Sequence, residues 1–148
     1  MKRIIIHDVD PEAYTGMFAL ENYIKESGFS PKLKHLIKIR ASELNGCAYC
    51  VDMHTQEALA DGESQRRIFA IATWKESPLF TEEERALLQL TDEVTFISKD
   101  GVSDETYNNV VKFYGEKTFV QIMMVLVAIN SWNRLAISTK QIFEPAAH

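Results

Sequence analysis

Arg40-Ala41-Ser42-Glu43-Leu44-Asn45-Gly46-Cys47-Ala48-Tyr49-Cys50-Val51-Asp52-Met53-His54-Thr55 is the stretch on which the fold turns. Asn45-Gly46 is a strong breaker pair, with helical spacing on both sides of it. Upstream, Leu33, Leu36, Ile37 and Leu44 repeat at a helical period that begins at Ser30-Pro31, a capping residue followed by proline at the first helical position. Downstream, a helix starts around Cys47 and runs to Asp61-Gly62.

The same punctuation divides the rest of the chain. Asp10-Pro11 opens a helix whose apolar face is Ala13, Tyr14, Met17, Phe18 and Ile24, and Gly28 stops it. Another covers Ser64 to Trp74. Thr81 with Glu84 three residues on forms a capping box, and its helix is predicted to end at Asp100-Gly101. Ser103 caps a further helix closed near Gly115, and the most apolar helix, Glu116 to Thr139, is expected at the centre. Only Arg3 to Val9 reads as a strand, and it has no obvious partner. The expectation is an all-α fold, a compact bundle of about six to seven helices forming one domain over residues 1–148.

Composition supports this frame. A chain of 148 residues can bury roughly 70% of its unfolded surface, enough for a core without staples. The net charge of −5, with no basic block or stripe, argues against a nucleic-acid partner. The apolar run from Phe119 to Ile129 is interrupted by Gln121 and reads as a buried core helix, too short to span a bilayer. The N-terminal Met1-Lys2-Arg3-Ile4-Ile5-Ile6-His7-Asp8 lacks the long apolar stretch and small-residue cleavage site of a signal peptide. A reducing cytosol is the expected address, where a purely structural disulfide is unusual.

Chemistry concentrates in the only two cysteines, Cys47 and Cys50, with His54 four residues after the second. On a helix, Cys50 and His54 share a face, so the imidazole can take the thiol proton or stabilise the thiolate. Cys47 at the helix N-terminus gains from unpaired N–H groups that favour negative charge. Local physics thus activates both sulfurs and does not choose the nucleophile. Residues three apart on a regular helix hold their Cβ atoms roughly 5–6 Å apart, whereas a disulfide wants roughly 3.5–4.5 Å. The first turn must therefore distort to close the bond, and the bond should be readily reduced. Two other readings stand beside this one. The cysteines can be buried and inert. Alternatively they supply two zinc ligands with His54 as a third, although a structural site needs four and neither a second CxxC nor a close histidine pair exists.

The run from Arg40 to Thr55 strongly resembles the carboxymuconolactone decarboxylase superfamily, and within it the branch related to alkyl hydroperoxidase D. The likeness continues through Trp74-Lys75-Glu76-Ser77-Pro78-Leu79-Phe80, Thr81-Glu82-Glu83-Glu84-Arg85 and Ile129-Asn130-Ser131-Trp132-Asn133-Arg134-Leu135. It implies a helical fold assembled into homotrimers or hexamers, and reduction of a small hydroperoxide through a dithiol–disulfide cycle with no cofactor. Carried over by position, Cys50 is the peroxidatic thiol, deprotonated with help from His54. Cys47 resolves the sulfenic acid into a disulfide, and an external lipoyl- or thioredoxin-like dithiol resets it. No role in lactone decarboxylation is implied, because members named for it lack this cysteine pair.

The chain departs from the pattern where those peroxidases carry a relay glutamate, twelve residues before the first cysteine; here that residue is His35. A second departure is Tyr49, where they have histidine. His35 either relays protons or packs. Glu43, about one turn before Cys47, can supply a carboxylate, against the plainer reading of a solvated surface residue. Arg134 is expected to pair with a carboxylate or line a subunit contact. Tyr14, Phe18, Tyr107, Phe113, Tyr114 and Phe119 read as core or interface. A dithiol redox partner or sensor without significant peroxide turnover, and a structural or metal-binding protein, are the competing functions.

Overall fold

The structure, a computed structural model, describes residues 3–143. Among these the helices are α1 (Ile6–Val9), α2 (Thr15–Glu26), α3 (Pro31–Asn45), α4 (Ala48–Ala60), α5 (Gln65–Ala70), α6 (Glu82–Thr95), α7 (Ile97–Asp100) and α8 (Asp104–Thr139). Two short 3-10 turns, Pro11–Tyr14 and Ile71–Thr73, precede α2 and follow α5. The all-α expectation holds.

The helix starts obey local chemistry. Ser30, Ser64, Thr81 and Ser103 each accept a hydrogen bond from the backbone N–H three residues on, and Thr81 with Glu84 completes the capping box. Two boundaries differ from expectation. The isoleucine-rich N-terminus is not a strand: with no neighbouring strand to satisfy its backbone, residues Ile6–Val9 close a helical turn in which Asp10 N–H donates to Ile6 O at 2.8 Å. The helix opened by Thr81 stops at Thr95, because Phe96 leaves helical geometry (φ −103°, ψ 36°), and α7 is a separate turn. Gly115 (φ 79°, ψ 164°) breaks α8 where the sequence places a helix end.

Three helices, α3, α6 and α8, form the interior, with α2 laid against α8 and α4 against α3. One apolar cluster joins Ile24, Ile37, Leu87, Leu90, Val125 and Ile129; a second joins Leu36, Ile39, Ala58, Ile71, Trp74 and Leu88. Helix α3 contributes to both, so it is enclosed on two sides, and the polar residues it carries are drawn inward with the apolar ones. His35, Lys38 and Ser42 are all buried. Helix α8 is long and apolar enough to cross a bilayer by length and composition. Its Ile122, Val125, Leu126, Ala128 and Ile129 are nonetheless fully enclosed by the bundle, as in a core helix.

Candidate active site

Gly46, in the left-handed conformation (φ 70°), ends α3 and redirects the chain so that Cys47 becomes the N-cap of α4. Cys47 has extended geometry (φ −87°, ψ 91°), and its Sγ accepts a hydrogen bond from the Cys50 N–H at 3.3 Å. Cys47 and Cys50 are joined as a disulfide with Cα atoms 5.3 Å apart. The distortion expected from their spacing is thus met by the cap residue, which stands just outside the helix. Both cysteines are 2% exposed, against Ala136 of α8 and Tyr49.

Cys50 and His54 line one cavity of about 380 Å³, as their one-turn spacing predicts. His54 is buried, and its Nδ1 lies 2.9 Å from Glu57 Oε2. An ionised carboxylate can only accept, so Nδ1 carries the hydrogen and Nε2 keeps a lone pair. Burial drives the His54 pKa down; the bond to Glu57 opposes this, the positive charge of Lys38 reinforces it, and the net shift is downward. A neutral imidazole with a free lone pair is a proton acceptor suited to an adjacent thiol.

Lys38 and Glu21, which the sequence does not single out, line the same cavity. The Lys38 ammonium is bonded to Glu21 Oε1 and Oε2 at 3.2 and 3.3 Å, and Trp132 Nε1 donates to Glu21 Oε1 at 3.1 Å. Tyr14, Phe18 and Trp132 form one aromatic cluster with ring centroids 5.3–6.0 Å apart on the cavity wall. Tyr14 and Phe18 are therefore site residues as well as packing residues, while Tyr107 and Phe119 meet edge-on away from the cavity, at 5.0 Å. Nothing in the local spacing marks Glu21, because its partners lie 17 and 111 residues away.

The remaining candidates lie elsewhere. The His35 ring is buried in a separate pocket with Nε2 2.6 Å from Asp61 Oδ2, outside the cavity of Cys50. Glu43 lines a different cleft, together with Cys47. It is not a solvated surface residue. Its Oε2 is buried with no hydrogen-bond partner, and Arg40 Nη1 stays 3.8 Å away because Asp92 holds that guanidinium at 2.7 and 3.1 Å. Desolvation lifts the Glu43 pKa to about 7, with Arg40 opposing and Asp92 adding to the rise. Arg134 pairs with no carboxylate among the described residues; it donates to the carbonyl of Asn130 at 2.9 Å. The neighbouring Asn133 is structural. It accepts from Asn45 at 2.9 Å and donates to Ser42 at 3.0 Å, fastening the end of α3 to α8 beneath the disulfide. Among the described residues no three His, Cys, Asp or Glu side chains converge as a metal site.

Fold and site together define an all-helical protein with a buried CxxC disulfide at a helix N-terminus and a histidine one turn along. The chain belongs to the carboxymuconolactone decarboxylase family, which it matches over residues 11–93. It is 38% identical over 137 residues to the uncharacterised YdfG of Bacillus subtilis (strain 168), covering 93% of each chain. It is 31% identical over 68 residues to the uncharacterised YnjA of Escherichia coli (strain K12), covering 46% of this chain and 37% of that one. Among solved structures it superposes with TM-score 0.95 and 41% identity on an Agrobacterium tumefaciens protein of unknown function, proposed to be the antioxidant defence protein AhpD; the match covers 98% of this chain and 99% of the other. The debrominase Bmp8, known in its apo form and as a cysteine-to-alanine variant with 2,3,4-tribromopyrrole, shares the fold at TM-score 0.80 and 20% identity, over 94% of this chain and 75% and 74% of its own in the two structures. An alkyl hydroperoxidase D-like architecture is thereby established.

Proposed function

We propose that this chain is a cytoplasmic, homo-oligomeric thiol peroxidase that reduces small hydroperoxides and is reset by an external dithiol. One observation carries the reading: Cys50 and a histidine whose charge is suppressed line the same cavity, with Cys47 already bonded to Cys50. In the reduced protein His54 takes the Cys50 thiol proton at Nε2. The thiolate attacks the distal peroxide oxygen; the O–O bond breaks, Cys50 becomes a sulfenic acid, and the departing alkoxide takes the proton from His54 to leave as alcohol. The Cys47 thiol then displaces the sulfenic oxygen as water, forming the disulfide. The aromatic wall of Tyr14, Phe18 and Trp132 favours organic hydroperoxides with an apolar substituent.

The observation on His35 favours a second reading. The residue at the relay position is held by Asp61 outside the cavity, which suits a redox partner that exchanges disulfides and turns over peroxide slowly.

Intact mass after brief exposure of the reduced protein to a slight excess of cumene hydroperoxide, with alkylation of remaining thiols, tests the first reading. The expected result is loss of two hydrogens and of both alkylation sites, restored by a dithiol. Cys50→Ser should abolish peroxide consumption and Cys47→Ser should leave a trapped sulfenic acid. Two thiols that stay free, alkylated only on denaturation, would sink both redox readings; a disulfide that forms and resets with negligible peroxide turnover selects the redox partner.

A further inference from the structure

The two cysteines of the disulfide line different openings in the protein surface. Cys50 lines the cavity of His54 and Cys47 does not; Cys47 lines an open cleft with Ser42, Glu43, Gly46, Asp52 and Thr55, and a smaller opening with Tyr49, Ala136 and Gln141, and Cys50 lines neither. A thiolate attacking a disulfide must reach the sulfur it bonds to, so access decides which sulfur is attacked. The carboxyl group of Glu43 in the cleft with Cys47 is set apart from the other acids among the described residues. Arg40, its nearest cation on α3, is turned to Asp92 on α6 and to the carbonyl of Ala72, and across the cleft α4 presents only another acid, Asp52. Glu43 thus has a buried oxygen with no hydrogen-bond partner in a cleft it lines together with Cys47.

We propose that the disulfide is served from two sides: oxidant reaches Cys50 through the His54 cavity, and a dithiol reductant attacks Cys47 through the second cleft, with Glu43 carrying the proton of the exchange. This rests on the dithiol–disulfide cycle and not on peroxide as the oxidant. In the first step Glu43 takes the proton of the incoming thiol, whose sulfur bonds to Cys47 while the Cys47–Cys50 bond breaks and Cys50 leaves as thiolate. The second thiol of the reductant then attacks its own mixed-disulfide sulfur and gives its proton to water. Cys47 departs and takes the proton held by Glu43. Two electrons pass from the dithiol to the protein disulfide; the products are the oxidised reductant, a Cys47 thiol and a Cys50 thiolate ready for the next oxidation. A carboxyl group lifted to about 7 can both accept and return that proton near neutral pH, which an ordinary carboxylate does poorly.

The chain is oxidised with diamide, so that the test does not depend on peroxide chemistry, and treated briefly with glutathione, acid-quenched, alkylated and mapped by peptide mass. A glutathione adduct on Cys47 is expected; an adduct on Cys50 overturns the proposal. The rate of reduction by dihydrolipoamide is then followed from pH 5 to 9. The wild-type profile should carry an inflection near 7 that Glu43→Gln abolishes, with a loss of roughly a hundredfold at neutral pH, the low end for a positioned acid–base group. Glu43→Asp should restore part of the rate. A Glu43→Gln chain that keeps the inflection, or that loses the oxidative and reductive steps in equal proportion as a general structural defect would, overturns it. A wild-type chain that cycles with diamide and dithiol but ignores peroxide removes the peroxidase reading and leaves this inference standing.

Discussion

The ammonium of Lys38 is held 3.2 Å from the carboxylate of Glu21 on the wall of the cavity that Cys50 and His54 share. This pair links α2 to α3, and through the bond from Trp132 to Glu21 it links both to α8. Its two charges act on His54 in opposite senses, Lys38 holding the imidazole pKa down and Glu21 pushing it up.

Replacing Lys38 by Met removes that positive neighbour. The pKa of His54 should rise from its depressed value, followed by the ring proton resonances in an NMR titration. Glu21 retains the bond from Trp132 and is 30% exposed at its side chain, so the stability cost should be modest, about 1–2 kcal/mol for a lost bond between charged groups. An unshifted His54 titration would mean that the electrostatics of the cavity do not pass through this pair.

Glu84 anchors a second polar cluster. It is 4% exposed, serves the capping box of α6, and accepts from Arg67 at 2.8 and 3.1 Å and from Lys32 at 3.2 Å. Burial alone would raise its pKa, but Arg67, the Thr81 N–H and Lys32 outweigh burial and hold it below the ordinary carboxylate range. The stability linked to this ionisation is therefore present above the unfolded pKa and lost as pH falls through the folded one. Glu84→Ala removes the capping-box carboxylate and one of the two acids that hold Arg67, with Glu63 remaining at 3.0 Å, and should cost about 3 kcal/mol. In a chain of this size that is a fall in Tm of roughly 6–12 °C at pH 7, with a smaller deficit at acid pH.

Gly115 tests the break in α8. Its φ of 79° with ψ of 164° lies in a region almost restricted to glycine, and an added Cβ would meet nothing within 4 Å. The penalty for Gly115→Ala is thus conformational alone, about 1–3 kcal/mol in a urea titration. A neutral substitution would show that the helix can run straight through this point.

Most of the helical plan was legible in the sequence because it rests on contacts within one turn. Ser30, Thr81 with Glu84, Ser103 and Gly46 each act on backbone groups three or four residues away, which spacing alone reveals. The same logic put Cys50 and His54 on one face. It failed at Arg3 to Val9, where three isoleucines carry β propensity but a strand needs a partner that this fold does not place beside it. It failed again at Phe96, whose departure from helical geometry has no local breaker. Lys38, Glu21 and Trp132 were not legible as a unit, since what gathers them is the packing of α2, α3 and α8. His35 shows the converse: the sequence left it as either a relay or a packing residue, and it is the turn of α3 that aims its ring at Asp61, outside the cavity of Cys50.

Glu43 provides the sharpest contrast between stability and chemistry. Its folded pKa of about 7 lies above the 4.5 of an unperturbed glutamate, so the folded chain binds this proton more tightly than the unfolded chain does. Between those two values stability must fall as pH rises, opposite to the behaviour of Glu84, and above about 7 the full penalty of an ionised, poorly paired carboxylate is felt. Glu43→Gln removes that penalty. With the side chain 23% exposed, part of the shift is relieved by solvent, and the gain at pH 8 should be about 2 kcal/mol, shrinking towards zero at pH 4. Urea titrations of wild type and variant at the two pH values measure the difference. A variant more stable than the native chain at pH 8 yet slower in its reductive step would show that this carboxyl group is kept for proton transfer at the expense of stability, whereas a variant destabilised equally at both pH values would return Glu43 to a packing role.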